Sequence, residues 1–376
     1  MEKYTKWVSF YGNAMSITEN KPAMYSKDIT LRYPLYCAFS GSKIRLTFDN
    51  YCGTEAVTIT RATLLYKDCF YKVTFGGSES VTMEAKAKAV SDEVSIEVAA
   101  GDTVTVSFYL GDYTQMRSSV YAQGPLSRGQ YALGDQTECK EFDIDISRKT
   151  NIFYFLSNAS VYTEEQNHAL ICYGDSITAQ DWPDYLALML KEKGINNVSV
   201  IRRATSGSRI LREYSCITYE SYGLKATNRF DHEIPMTDGA DIIIIQQGIN
   251  DIIHPVGTEV NPFRPMSDLP TVEELTEGLN WYIGKALGFG LTTYVGTLLP
   301  INGWRTYADF REVMKNEYND WIRSLESIEG CIDFDEAVRD KDDFTSFEAV
   351  CDSGDHLHPS DMGYKKMAEK AFKSIF

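Results

Sequence analysis

The chain has no apolar run of membrane length: the longest, such as the four isoleucines at residues 242–245, fall far short of the roughly 20 residues a spanning helix needs. Nor do the opening residues hold an unbroken apolar stretch of about 7 to 15 residues before a small-residue cleavage pattern. A soluble, cytoplasmic protein is therefore expected. Paired CxxC spacings are missing as well. The eight cysteines (Cys37, Cys52, Cys69, Cys139, Cys172, Cys216, Cys331 and Cys351) are scattered, which argues against a zinc ribbon and a disulfide framework and for free thiols in a reducing compartment. Positive charge is in deficit, with 37 basic against 53 acidic residues and a net charge of -16. Such a field repels polyanions, so nucleic acid and anionic membrane surfaces are poor partners and a neutral substrate fits better. Low-complexity sequence is absent, and 43% hydrophobic with 24% charged residues excludes disordered and fibrous classes. At 376 residues two cores are expected rather than one.

The first part alternates. Residues 43–110 contain KIRLTFDN, AVTITRATLLY, YKVTF, SVTME, EVSIEVAA and DTVTVSFYL, period-two runs broken by Gly-Gly or Gly-Asp that predict antiparallel strands. NIFYFLSNASVYT, residues 151–163, predicts a last strand of the same unit. Residues 1–163 are accordingly expected to form a jelly-roll-like β-sandwich. From residue 164 to 376 apolar strands are separated by longer helical stretches, the signature of a parallel sheet. Strands are expected at HALICY, NVSVIRR, DIIIIQQ, LTTYVGT and GCIDFD, and helices over residues 182–193, 271–287, 307–327 and 361–376. Thr271 with Glu274 forms a capping-box pattern, and Ser360 is placed to cap the last helix. The expected architecture is a three-layer α/β domain of five parallel strands whose ligand site lies at their carboxyl ends.

Four segments fall at such ends or in loops. Gly174-Asp175-Ser176 follows the first strand, where a small hydroxyl residue is well placed as a nucleophile. Its hydroxyl needs a base, and Asp355 and His358, three residues apart before the last helix, can present a carboxylate that orients an imidazole. Gly207, after the second strand, can offer an unobstructed backbone N–H, and Asn250, after the third, a side-chain amide. Acyl transfer requires such donors for the oxyanion of its tetrahedral transition state.

In this order the segments resemble the SGNH (GDSL) hydrolase superfamily: Gly174-Asp175-Ser176, Gly207, Gly248-Ile249-Asn250-Asp251 and Asp355 to Pro359 stand where its blocks stand. The resemblance implies a flavodoxin-like domain in which Ser176 is nucleophile, His358 rather than His356 the base, and Asp355 its orienter. It also implies an oxyanion hole made by the N–H groups of Ser176 and Gly207 with Asn250. Ile177 replaces the leucine of the GDSL signature, an apolar exchange. The N-terminal half, with Trp7, Ile29 to Arg32, Ser40-Gly41-Ser42 and Asp49 to Thr54, looks like the β-sandwich of two-domain bacterial esterases linked to carbohydrate metabolism. That similarity implies a carbohydrate O-acetylesterase with a small-molecule or oligosaccharide ester as substrate, and no cofactor.

Three other readings compete. His356 and His358 beside Asp352 and Asp355 raise a zinc hydrolase, but the five histidines supply no second cluster, and no metal is expected. A glycan-binding protein with an inactive hydrolase domain is disfavoured because every reactive position is intact. A lipase or lysophospholipase needs a broad apolar cleft, whereas Gln180, Trp182, Arg209, His254, Asn302 and Trp304 near the strand ends suit sugar recognition. Of these, Trp182, Arg209, His254 and Trp304 are taken as candidate substrate contacts.

Overall fold

The computed structural model describes residues 3–17, 24–214, 220–257 and 263–376; Cys216 lies outside them. The chain divides into two compact units, one of residues 1–169, 191–202 and 235–240, the other of residues 170–190, 203–234 and 241–376.

The first unit is built on antiparallel sheets, as its alternating pattern requires. Among the described residues one sheet runs Lys6–Gly12, Leu156–Thr163, Gly41–Asp49, Val94–Val98, with Lys88–Val90 also paired to Gly41–Asp49. A second runs Ser147–Thr150, Gly129–Leu133, Ile29–Tyr36, Thr103–Leu110, Arg61–Tyr66, Cys69–Val73. Inward side chains of both, including Val8, Leu46, Phe48, Leu31, Leu64 and Val106, form one buried cluster. Phe48 from the first sheet meets Phe108 from the second edge to face at 5.1 Å, a geometry that adds to their area burial.

The expected strands are present with two divisions. AVTITRATLLY splits into Val57–Ile59, paired with Val81–Met83, and Arg61–Tyr66 in the larger sheet. The run 151–163 splits at Phe155, whose φ of 58° ends Ile152–Tyr154 before Leu156–Thr163 begins. Ile29–Tyr36 lies before the alternating runs read from the sequence, and it contains Pro34. The sheet tolerates it because the pairing to Gly129–Leu133 stops at Arg32, so no ladder bond is asked of the proline nitrogen on that side.

The parallel strands, numbered in chain order, are β1 (His168–Gly174), β2 (Val198–Ala204), β3 (Ala240–Gln246), β4 (Thr292–Gly296) and β5 (Gly330–Ile332), in the spatial order β2-β1-β3-β4-β5. Leu170 to Tyr173 of β1 and Ile243 to Ile245 of β3 are wholly buried, as expected of strands covered on both faces. The helices are α1 (Ser176–Ala179), α2 (Trp182–Glu192), α3 (Ala226–Glu233), α4 (Ile249–Ile253), α5 (Val272–Gly288), α6 (Asp309–Arg323), α7 (Phe334–Val338) and α8 (Asp361–Ile375). Helices α2 and α7 meet through Trp182 and Phe334, with ring centroids 5.3 Å apart. Helices α3 and α5 meet through Phe230 and Tyr282 at 5.4 Å. The crossover from β1 to β2 runs across the sheet in the opposite direction to those from β2 to β3 and β3 to β4, so right-handed connections place these two groups on opposite faces. The Thr271–Glu274 capping box and the Ser360 cap are both formed. No helix among the described residues is long and apolar enough to cross a membrane.

In this order the chain reverses direction between β1 and β3, which opens a crevice at their carboxyl ends. A buried ion pair braces the crevice from behind. Arg229 of α3 donates Nη1 to both carboxylate oxygens of Glu233, at 3.0 and 2.9 Å, and Nη2 to the Gly174 carbonyl and Ser208 hydroxyl at 3.3 and 3.4 Å. Neither side chain reaches solvent. Glu233→Ala would strand the guanidinium without its counter-charge and is expected to cost about 3–5 kcal/mol. Urea unfolding checks this, and a loss below about 1 kcal/mol would show that the pair is solvated.

Candidate functional site

Ser176 opens α1 directly after β1 and Asp175, whose side chain caps that turn by accepting from the Ile177 N–H at 3.0 Å. As the first helical residue Ser176 has no intrahelical acceptor for its own N–H, which stays at the strand mouth. Its Oγ lies 2.8 Å from His358 Nε2, and His358 Nδ1 lies 2.7 Å from Asp355 Oδ2. With Nδ1–H donated to the carboxylate, Nε2 is left to accept from the serine hydroxyl.

The loop before α8 holds His358 by bonding to itself. Asp355 Oδ1 accepts from the N–H groups of Leu357 and His358, at 3.0 and 2.8 Å, and from the Ser353 hydroxyl at 3.1 Å. Burial opposes charge on Asp355, but hydrogen bonds from the His358 ring and from these amides outweigh it and hold the carboxyl well below the usual range. His356 faces elsewhere: its Nδ1 pairs with Asp352 at 2.6 Å. No group of three or more His, Cys, Asp or Glu side chains suited to a metal occurs among the described residues.

Gly207 has a φ of 78°, and a Cβ there would lie 2.7 Å from the Tyr222 Cβ. A side chain is excluded by conformation and by space together. Asn250, on α4, is buried and donates from Nδ2 to the Ser208 carbonyl at 3.1 Å, which leaves its second amide hydrogen uncommitted. The next residue, Asp251, accepts from the N–H groups of Ile210 and Leu211 at 2.8 and 3.0 Å. Gln247 Nε2 also donates to the Ser208 carbonyl, at 2.8 Å. The loop after β2 is thus bonded residue by residue to the segment after β3.

Three of the candidate substrate contacts are buried. Trp182 is fully buried against Phe334 and presents no face to solvent. Arg209 is buried, its guanidinium 4.2 Å from the Tyr214 ring centroid and 3.4 Å from Asp268. His254 is buried between Tyr222 and Tyr214, at 4.8 and 5.9 Å. Burial first, then the charges of Arg264, Arg209 and Arg305, push its pKa well below the imidazole range and keep it neutral. Of the four, Trp304 stands beside His358, half-buried and edge-on to its ring at 6.5 Å.

Sequence reasoning missed Arg229 and Tyr222, and it quoted Asp251 within its block without a role. The i,i+4 spacing of Arg229 and Glu233 was a readable signal of a helical ion pair. Tyr222 gave none, because its neighbours Gly207 and His254 lie 15 and 32 residues away along the chain.

Residues 172–366 match the model of the GDSL-like lipase/acylhydrolase family. No curated protein matches the chain significantly. Among solved structures it is similar to an acetylxylan esterase from Geobacillus stearothermophilus, at 15% identity over 55% of this chain and 94% of that one, with a TM-score of 0.42. It is similar also to a member of the lipolytic protein G-D-S-L family from Veillonella parvula, at 17% identity over 55% and 98%, TM-score 0.40. A GDSL-like lipase from Bacteroides thetaiotaomicron matches at 14% identity over 55% and 87%, TM-score 0.39.

Burial pushes the Asp175 carboxyl up from 3.8 to about 7, against the opposing Ile177 amide and His358 charge. The folded protein therefore keeps a proton that the unfolded chain loses above pH about 4, and this group's contribution to stability falls as pH rises from there to about 7. Asp175→Asn keeps the capping oxygen and removes the titration. Wild type should lose stability relative to this variant between pH 5 and pH 7.5 in urea unfolding, and a constant difference would mean that Asp175 ionises normally.

Proposed function

The chain belongs to the GDSL-like lipase/acylhydrolase family, and from that premise we propose that it hydrolyses carboxylic esters through an acyl-enzyme on Ser176. The contact between Ser176 Oγ and His358 Nε2, with Asp355 behind the imidazole, carries the reading. In the proposed reaction Ser176 Oγ attacks the ester carbonyl while its proton passes to His358 Nε2. The oxyanion is held by the Ser176 and Gly207 N–H groups and by the uncommitted amide hydrogen of Asn250. Collapse expels the alcohol, which takes the proton from His358, and leaves the acyl group on Ser176. Water then gives a proton to His358 Nε2 and attacks the acyl carbonyl; collapse expels Ser176 Oγ, which takes that proton back from His358, and the acid is released.

For the substrate we propose an O-acetylated oligosaccharide in preference to a lipid. The support is the polar and aromatic surround of the reacting groups. Trp304 stands beside the base, and Gln180 donates to the Ser176 carbonyl at 3.2 Å. A long acyl chain would gain about 0.8 kcal/mol per buried methylene only where apolar surface awaits it. The free thiols of Cys37, Cys69, Cys139, Cys331 and Cys351 suit the proposed cytoplasmic setting.

Ser176→Ala should lower esterase activity by at least about a thousandfold and abolish fluorophosphonate labelling in a protein that still folds. Substantial residual turnover would reassign the nucleophile. Gly207→Ala should lower kcat by about a hundredfold through displacement of one donor. For substrate, kcat/KM should fall from p-nitrophenyl acetate through butyrate to octanoate, with acetate released from acetylated xylo- or manno-oligosaccharides. An octanoate preference without sugar deacetylation would give the lipase reading instead.

A further inference from the structure

Between α3, α5 and the loop after β2 lies an open groove of about 720 Å³ that the reaction at Ser176 does not use, a volume within the roughly 300–1,000 Å³ range of small-molecule sites. Its floor is Ile210 and Leu211, whose N–H groups are the two bonded to Asp251. They lie directly on α5 because residue 278 is glycine: a Cβ there would come within 2.5 Å of Ile210 Cγ2. The floor thus continues the loop that carries Gly207, at the same carboxyl end of the sheet as Ser176.

The wall from α5 presents Trp281, 37% exposed although tryptophan is among the most costly residues to leave in water. Phe230 and Tyr282 pack edge to face with this indole, at 6.0 and 5.2 Å, and fix its orientation. Exposed polar groups surround it: Glu277 one turn back on α5, Asn228 and Asp231 on α3, and Arg212 on the loop. Asp231 pairs with Lys285, 3.0 Å away, whereas Glu277 has no ionic or hydrogen-bond partner among the described residues.

This lining discriminates among occupants. An alkyl chain would desolvate Arg212, Lys225, Glu274 and Glu277 without replacing their hydrogen bonds to water. A polyanion would meet the two glutamates, and a polycation the arginine and lysine. A neutral polyol offers C–H faces to the indole and hydroxyls to carboxylate, carboxamide and guanidinium together. We propose that this groove is a glycan subsite, in which a neutral sugar ring stacks on Trp281 and hydrogen-bonds Glu277, Asn228 and Arg212. The subsite takes the oligosaccharide at a distance from its acetyl group and rests on the substrate reading above.

Binding and turnover separate the two ideas. Titration calorimetry with unacetylated xylohexaose and mannohexaose should show one of them binding wild type, and Trp281→Ala should weaken that binding about tenfold or more. Glu277→Gln, a surface change that keeps the fold, should weaken it severalfold, and Trp281→Phe should restore part of the loss. Turnover of p-nitrophenyl acetate, too small to reach the groove, should stay within about twofold of wild type in all three variants. Failure of both hexasaccharides to bind wild type, or binding that the Trp281 and Glu277 variants leave unchanged, overturns the subsite. Hexasaccharide binding that is lost in these variants, in a protein that releases no acetate from acetylated sugars, upholds the subsite and overturns the acetylesterase reading alone.

Discussion

The contact between the Ser176 hydroxyl and His358 joins residues 182 positions apart, and the α/β unit is organised so that they meet. One end is set by β1, which delivers Ser176 at the crevice between the central strands. The other is set by a loop that braces itself. Asp352 pairs with Pro359 across it, the Ser360 N–H bonds the Cys351 carbonyl at 2.7 Å, and the Ser353 N–H bonds the His358 carbonyl at 3.2 Å. An imidazole held in this way, acting as the proposed base, is placed before any ester arrives, so its ordering entropy belongs to folding and not to the reaction.

Strand pairing alone does not fix where three strand ends stand relative to one another once the backbone has left the sheet. Buried charged and amide side chains do so here. Arg229 ties the Gly174 carbonyl to Ser208, Asn250 and Gln247 tie Ser208 to the segment after β3, and Asp251 ties Ile210 and Leu211 to the same segment. Several of these links take up backbone groups, the Ser208 carbonyl and the Ile210 and Leu211 N–H groups, and satisfying such groups is a condition under which a buried polar side chain is retained.

The parallel sheet, its order of apolar strands and the long helices were legible because each leaves a periodic trace longer than a turn. The proposed reacting residues were legible because chemistry restricts which side chains can serve, so Ser176, Asp355 and His358 stood out by type and place. Direction was not legible. Trp182, Arg209 and His254 lie near the strand ends as expected, yet all three turn inward, because a residue between sheet and helix has both an interior and a cleft side and the sequence there has no period to tell them apart. Short helices such as α1, α4 and α7 escaped for a related reason: five residues or fewer make too little of a turn to pattern.

Two buried carboxyls adjoin the proposed oxyanion site, and their cost helps to explain the arrangement. Burial raises Asp175 to about 7 and Asp251 to about 6, the latter despite accepting from the Ile210 and Leu211 amides. A pair of apolar residues would be cheaper to bury, but it could neither cap the turn that aims the Ser176 N–H nor satisfy the two loop amides beneath Gly207. The stability given up near neutral pH is thus exchanged for fixed donor positions. The raised values carry a second advantage. An anion beside a developing oxyanion would repel it, and burial that biases Asp175 toward its neutral form reduces that repulsion while its oxygen still accepts from Ile177.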